Sequence, residues 1–161
     1  MKTAVQSRPR AASAAADLAE LVKARLSLLT LATAMAGFAL GVKDNWSWLL
    51  LAATLGGTAL SAAGAAALNQ WWERADDARM KRTRDRPLPA GRMAPSDALL
   101  TGLVLSFSGV LCLALFANPL AAGLAAATII LYVLVYTPLK RVTTLNTIIG
   151  AVPGALPPLI G

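Results

Sequence analysis

The 161-residue chain is 57% hydrophobic and only 14% charged, with 15 Lys and Arg against 8 Asp and Glu and a formal net charge of +7. So apolar a composition excludes an ordinary soluble domain and points to a polytopic membrane protein. The bases sit between apolar runs, where topology and anionic ligands account for them and nucleic-acid binding does not. There is no histidine, and the single cysteine, Cys112, lies inside an apolar run. That removes an internal disulfide, a thiolate metal cage and histidine ligation, and Cys112 reads as a small buried hydrophobe.

Residues 1–16 are small and basic, without acids. They read as a disordered cytoplasmic tail; their Arg, Ser and Ala content also fits an organellar transit peptide, and they lack the apolar core of a secretory signal. Residues 17–25 form an amphipathic helical lead-in. Five apolar segments follow, at 26–42, 46–72, 96–117, 119–136 and 145–161. Crossing a hydrocarbon core of about 30 Å takes roughly 20 helical residues, so the first four are expected to span, the first by including its flank. Long runs without alternation are helices and not barrel strands. The expected fold is an all-α transmembrane bundle of four complete helices and a truncated, proline-broken fifth.

The second segment is rich in small residues (Gly56, Gly57, Ser61, Ala62, Gly64, Ala65, Ala66), which let helix backbones approach closely. Trp46 and Trp48 at one end and Trp71 and Trp72 at the other suit interfacial belts. The fifth segment carries Pro153, Pro157 and Pro158, and a helix so broken is tolerated where it is buried or lines a cavity. The chain stops there without a polar flank, which reads as part of a longer protein. Of the 15 bases, all but Lys43 fall in the N-terminal region, the loop after the second segment or the connection after the fourth. The positive-inside rule makes that side cytoplasmic, in a multi-pass protein of the inner (plasma) membrane.

The most unusual stretch is residues 69–89, NQWWERADDARMKRTRDRPLP, with 4 of the 8 acids and 6 of the 15 bases. On a helix, Asn69, Glu73 and Asp77 recur at four-residue spacing and form one stripe, with Asp76 on the same face. Oxygen ligands so arranged suit a hard cation such as Mg²⁺, which also bridges phosphate oxygens. Neighbouring Arg and Lys neutralise the remaining phosphate charge. The plainer alternative is a helix leaving the membrane among ordinary flanking charges. A continued polar face and an excess of base beyond what orientation needs favour the site. A second cluster on the same side, Tyr136-Thr137-Pro138-Leu139-Lys140-Arg141, is either a set of anchors or the opposing half of a diphosphate clamp.

NQWWERADDARMKRTRDRPLPAG resembles the first Asn/Asp-rich motif of the UbiA superfamily of intramembrane prenyltransferases, Asn-x-x-x-Asp-x-x-x-Asp followed by a basic loop. Asp77 to Thr83 is similar to the branch that attaches farnesyl to haem. YTPLKRVTTLNTIIGAVPGALPPLIG is similar to that branch's second block, and LVKARLSLLTLATAMAGF to its first-helix block. The resemblance implies about nine helices around a central cavity and farnesyl transfer from farnesyl diphosphate to a vinyl group of haem b. Asn69, Glu73, Asp77 and Tyr136 would be catalytic. Asn69, Glu73, Asp76 and Asp77 would hold Mg²⁺, and Arg25, Arg79, Arg82, Lys140 and Arg141 would bind diphosphate. Partners implied are farnesyl diphosphate, haem b and membrane lipid, with haem A synthase or oxidase assembly components beside them.

Two positions depart from the family pattern: Glu73 stands where aspartate is usual, and Ala24 where the first block has proline. The second aspartate-rich motif of the family is absent, so residues 17–161 correspond to an N-terminal half, expected to be inactive alone. The alternatives are a superfamily member prenylating an aromatic quinone precursor or a chlorin, and, outside enzymes, a transporter half or a membrane-complex assembly factor. The haem-type signatures disfavour the first. Polar groups gathered at one face, with no internal repeat, disfavour the second.

Overall fold

The computed structural model describes residues 13–42, 46–140 and 146–161, without the side chains of Arg25 and Asn146. Most of the expected tail, Lys43 and Asp44, and Arg141 lie outside the described residues. Helix α1 (Ala14–Leu21) begins inside the stretch read as tail, because Ser13 Oγ accepts a hydrogen bond from the Ala16 N–H at 3.3 Å and caps it. α2 is Ala24–Gly41, and α3 is Trp48–Asp77, capped by Ser47. α4 (Pro95–Phe116) and α5 (Pro119–Ile130) each open on a proline, which loses nothing at a position whose N–H is unused. Asn118 caps α5 by accepting from the Ala121 N–H at 2.7 Å.

α5 continues into a π-helical turn (Leu131–Tyr136) and the short α6 (Thr137–Leu139). Pro138 has no N–H to return to the preceding turn, which loosens the ladder there. α7 (Asn146–Ala155), with Pro153 inside it, and α8 (Pro157–Ile160) complete the described chain, and no strand occurs among the described residues. The all-α, proline-broken reading stands. The count of spans is less simple: among the described residues three helices are long and apolar enough to cross a membrane, and a fourth exists only if α1 and α2 are one span bent by 54°. The break falls at Lys23, whose left-handed backbone (φ 49°, ψ 51°) no continuous helix of L-residues sustains.

Packing is governed by α3 against α4. Both carry Gly-x-x-x-Ser-x-x-Gly-x-x-x-Leu, at Gly57, Ser61, Gly64 and Leu68 in α3 and at Gly102, Ser106, Gly109 and Leu113 in α4. The pattern is a local packing seam between two neighbouring helices and not the transporter-type repeat of whole segments considered above. Run antiparallel, the two copies interlock: Gly57 meets Leu113, Ser61 meets Gly109, Gly64 meets Ser106, and Leu68 meets Gly102. A methyl group on Gly64 would lie 2.8 Å from the Gly102 carbonyl oxygen, so the backbones touch with no room for a side chain. α8 folds back between α2 and α5. It sits so close to α2 that a side chain on Gly37 would reach the Pro158 carbonyl carbon at 2.8 Å.

Candidate active site

With 30 residues, α3 is about 45 Å long, well beyond the hydrocarbon core of about 30 Å. Its C-terminal turns therefore project, and they carry the oxygen stripe. The stripe faces a cavity of about 1140 Å³ whose walls come from the α1–α2 junction, α3, the 78–94 loop and the end of α5 with α6. Asn69 and Gln70 are almost wholly buried there, Glu73 and Asp77 nearly so, and Asp76 is half-buried.

Each principal oxygen of the stripe is closed by a different element. Asn69 Oδ1 accepts from Lys23 Nζ at 2.8 Å, and Asn69 Nδ2 donates to Thr137 Oγ1 at 3.0 Å. Lys140 Nζ pairs with Glu73 Oε1 at 2.5 Å, and Arg86 Nη1 with Asp77 Oδ2 at 2.7 Å. Three cations thus sit on three oxygens of the stripe in a largely desolvated site. Lys23 precedes the apolar run of α2; burial, and next the Arg86 guanidinium, pull its ammonium down to about 8, against the pull of Glu73. Its left-handed backbone turns the side chain inward. Alanine at 24 allows this, because a proline there would push residue 23 toward extended backbone.

The frame around the cavity is equally tied. Gln70 Nε2 donates to the carbonyls of Glu20 and Leu21 at 2.9 and 2.7 Å, pinning the end of α1 to α3. Arg92 pairs with the buried Asp17 at 2.8 Å and donates to the Asp85 carbonyl at 2.9 Å, fastening α1 to the basic loop. Thr83 Oγ1 donates to the Asp77 carbonyl at 3.0 Å and closes the helix end. Tyr136 lines the cavity, stacks on Tyr132 with ring centres 5.6 Å apart, and carries Lys140 Nζ 5.6 Å from its centroid.

The structure therefore gathers Asn69, Glu73, Asp76, Asp77, Arg82, Tyr136 and Lys140 on one cavity. Arg79 is exposed and does not line it. Arg25 and Arg141 have no described side chain. Lys23, Gln70, Arg86 and Tyr132 were not singled out from sequence. Lys23 stands two residues from Arg25 in the same block, and its place at the cavity follows from a left-handed turn that no spacing announces. Arg86 is one of six bases in an aperiodic loop, where spacing carries no facing information.

A hard cation fits the donor set. The facing ligands are oxygens, and Gln70 Oε1, buried and with no hydrogen-bond partner among the described groups, lines the same cavity. Among the described residues no three of His, Cys, Asp and Glu converge into a metal cage. An ion here would complete its shell with water and phosphate oxygens, as Mg²⁺ does.

A second cavity of about 360 Å³ adjoins the first, with Lys23, Leu26 and Tyr132 common to both. Its further walls are mostly apolar or small, among them Leu29, Ala62, Ala66, Pro153 and Pro157. A polar, cation-lined cavity sharing walls with an apolar one has the shape of a site for a molecule with a charged head and a hydrocarbon tail. The family described as "UbiA prenyltransferase family" matches residues 30–161. The chain belongs to the UbiA prenyltransferase family. Among relatives of this UbiA chain, one named protoheme IX farnesyltransferase from Anaeromyxobacter sp. (strain Fw109-5) is 47% identical over 97% of this chain and 52% of its own length. One of the same name from Myxococcus xanthus (strain DK1622) is 45% identical over 100% of the chain and 53% of its own length. A mitochondrial protein of that name from Arabidopsis thaliana is 47% identical over 88% and 33%. The UbiA chain spans about half the length of the bacterial relatives it matches. No solved structure matches it.

Proposed function

We propose that this UbiA chain carries the diphosphate-binding part of an enzyme that transfers farnesyl from farnesyl diphosphate to a vinyl group of protohaem IX, giving haem O. The observation that carries this is the closure of Asn69, Glu73 and Asp77 by Lys23, Lys140 and Arg86 in a polar cavity that shares Lys23, Leu26 and Tyr132 with an apolar one. The names of the relatives supply the acceptor.

In this reading Asn69, Glu73, Asp76 and Asp77 would hold Mg²⁺, which when bound would supply charge neutralisation for a departing diphosphate. Their cations then turn from carboxylate to phosphate oxygens. Lys23, Arg86 and Lys140 are already poised at the cavity, with Arg82 at its wall; Arg25 and Arg141 are assigned as further phosphate contacts and Arg79 as an outer one. Tyr136 acts at the site by steering Lys140 through its ring face. Fixed positive charge favours a transition state in which negative charge grows on the diphosphate. The apolar chamber holds the hydrocarbon tail and excludes water. We assign the basic side to the cytoplasm, the protein to the inner membrane, residues 17–161 to the N-terminal half of the catalytic domain, and haem A synthase or oxidase assembly components to its surroundings.

The test is complementation. The whole gene, supplied to cells that cannot make haem O, should restore haem O in extracted pigment; Asn69→Ala and Asp77→Ala should abolish it with the protein still present in the membrane. Chelation of Mg²⁺ should abolish transfer in detergent extracts. Undiminished haem O in both variants would overturn the site.

A further inference from the structure

We infer that Tyr132 is a catalytic residue whose ring face stabilises the allylic cation formed when the prenyl diphosphate ionises, an inference that rests on the prenyl-transfer reading above. Three residues line both cavities, and only one of them is aromatic: Lys23, Leu26 and Tyr132. A prenyl diphosphate with its head in the polar chamber and its tail in the apolar one must place its C1–O bond at their shared boundary. That bond is where positive charge develops. Of the three boundary side chains the Lys23 ammonium repels such charge and the Leu26 alkyl chain offers it nothing, whereas the Tyr132 ring attracts it through its face.

Tyr136 does not line the apolar chamber; the stack with Tyr132 takes one face of each ring, and Tyr136 is engaged further. It stacks on Tyr132 at 17° between planes, carries Lys140 at 5.6 Å, and has an edge so close to α7 that a methyl on Gly150 would lie 2.8 Å from its Cε2. Tyr132 is held in place from the other side of the site. The Thr137 N–H and hydroxyl both point at the Tyr132 carbonyl, the hydroxyl at 2.8 Å, and the same hydroxyl accepts from Asn69. A two-bond chain therefore fixes the turn bearing Tyr132 relative to the oxygen stripe that holds the leaving group. The ring and the diphosphate are registered to one another before substrate arrives.

In the step itself, the C1–O bond breaks and its electron pair leaves with the diphosphate. The π pair of the acceptor's vinyl group then forms the new C–C bond to C1, and the vinyl carbon left cationic takes up water and releases a proton. Tyr132 contributes only while C1 carries charge, so its loss should appear in kcat and spare ground-state binding.

The experiment uses the whole gene product in detergent with farnesyl diphosphate, Mg²⁺ and haem b. Tyr132→Phe should keep kcat within about threefold, and Tyr132→Leu should lower kcat about thirtyfold with KM for farnesyl diphosphate little changed, as expected for a desolvated cation–π contact. Phenylalanines bearing one, two and three ring fluorines at position 132 preserve shape and weaken the ring's hold on a cation. Their log kcat should fall step by step, and this series keeps the test open if the leucine variant fails to fold. A flat fluorine series, a phenylalanine variant as slow as the leucine one, or a change confined to KM would overturn the role of Tyr132. Absence of haem O with the wild-type protein would instead overturn the reaction assignment, and tighter binding of inorganic diphosphate with Mg²⁺ than without it would show that the polar chamber still works.

Discussion

Helix α3 buries polar atoms in two places and treats them in opposite ways. Midway along, Ser61 and its counterpart Ser106 on α4 are buried with hydroxyl oxygens that find no partner among the described groups. At the end, Asn69, Glu73 and Asp77 are just as buried, yet each meets a cation from another element. The first region tolerates lone hydroxyls because glycine backbones pass too closely for larger groups; its purpose is proximity. In the second, carboxylates are affordable only when neutralised, so charge is gathered there deliberately and can be handed to a ligand.

The contrast can be broken most severely in the middle. Gly64→Leu drives a side chain into the α4 backbone and should cost about 3 kcal/mol or more, the upper end for overpacking, with loss of folded protein in detergent followed by thermal unfolding. Next comes Asp77→Asn, which keeps shape and removes the charge that Arg86 answers. On the proposed function, farnesyl transfer by the whole gene product should fall about a hundredfold while unfolding shifts by only about 1 kcal/mol, the reverse of the glycine variant. A smaller change is Glu73→Asp, which restores the usual family residue but shortens the reach to Lys140. Initial rates should change by less than about tenfold, because the same charge remains and lysine is flexible. Smallest is Ser61→Ala. Removing an unpartnered hydroxyl should leave activity intact and stability equal or up to about 1 kcal/mol higher, measured by the same unfolding assay.

What sequence alone reveals follows the same division. Helices are written in long apolar runs and proline positions, and α4 and α5 start within a residue of the expected places, while α3 runs five residues past its expected end and α1 begins inside the expected tail. The Asn69–Glu73–Asp77 stripe is legible because helical periodicity converts spacing into a face. The partners are not. Lys23 reaches Asn69 through a single left-handed residue, and Arg86 reaches Asp77 from a loop without period, so neither has a spacing to read. The bend at Lys23 is hidden for the same reason: no glycine or proline marks it. The α3–α4 repeat was present in the letters, but small residues dispersed among many alanines blur the pattern until both helices are laid side by side.

The paired registers of α3 and α4 bear on how such a protein can vary in length. Adding or deleting one residue between Gly57 and Leu68 would turn everything beyond it by about 100°. The contacts to Gly102, Ser106 and Gly109 could not all re-form, and Asn69, Glu73 and Asp77 would swing away from Lys23, Arg86 and Lys140. Insertions and deletions are thus confined to the stretches between helices, and α3 behaves like a threaded shaft whose angular setting is fixed half-way along and read out at its tip.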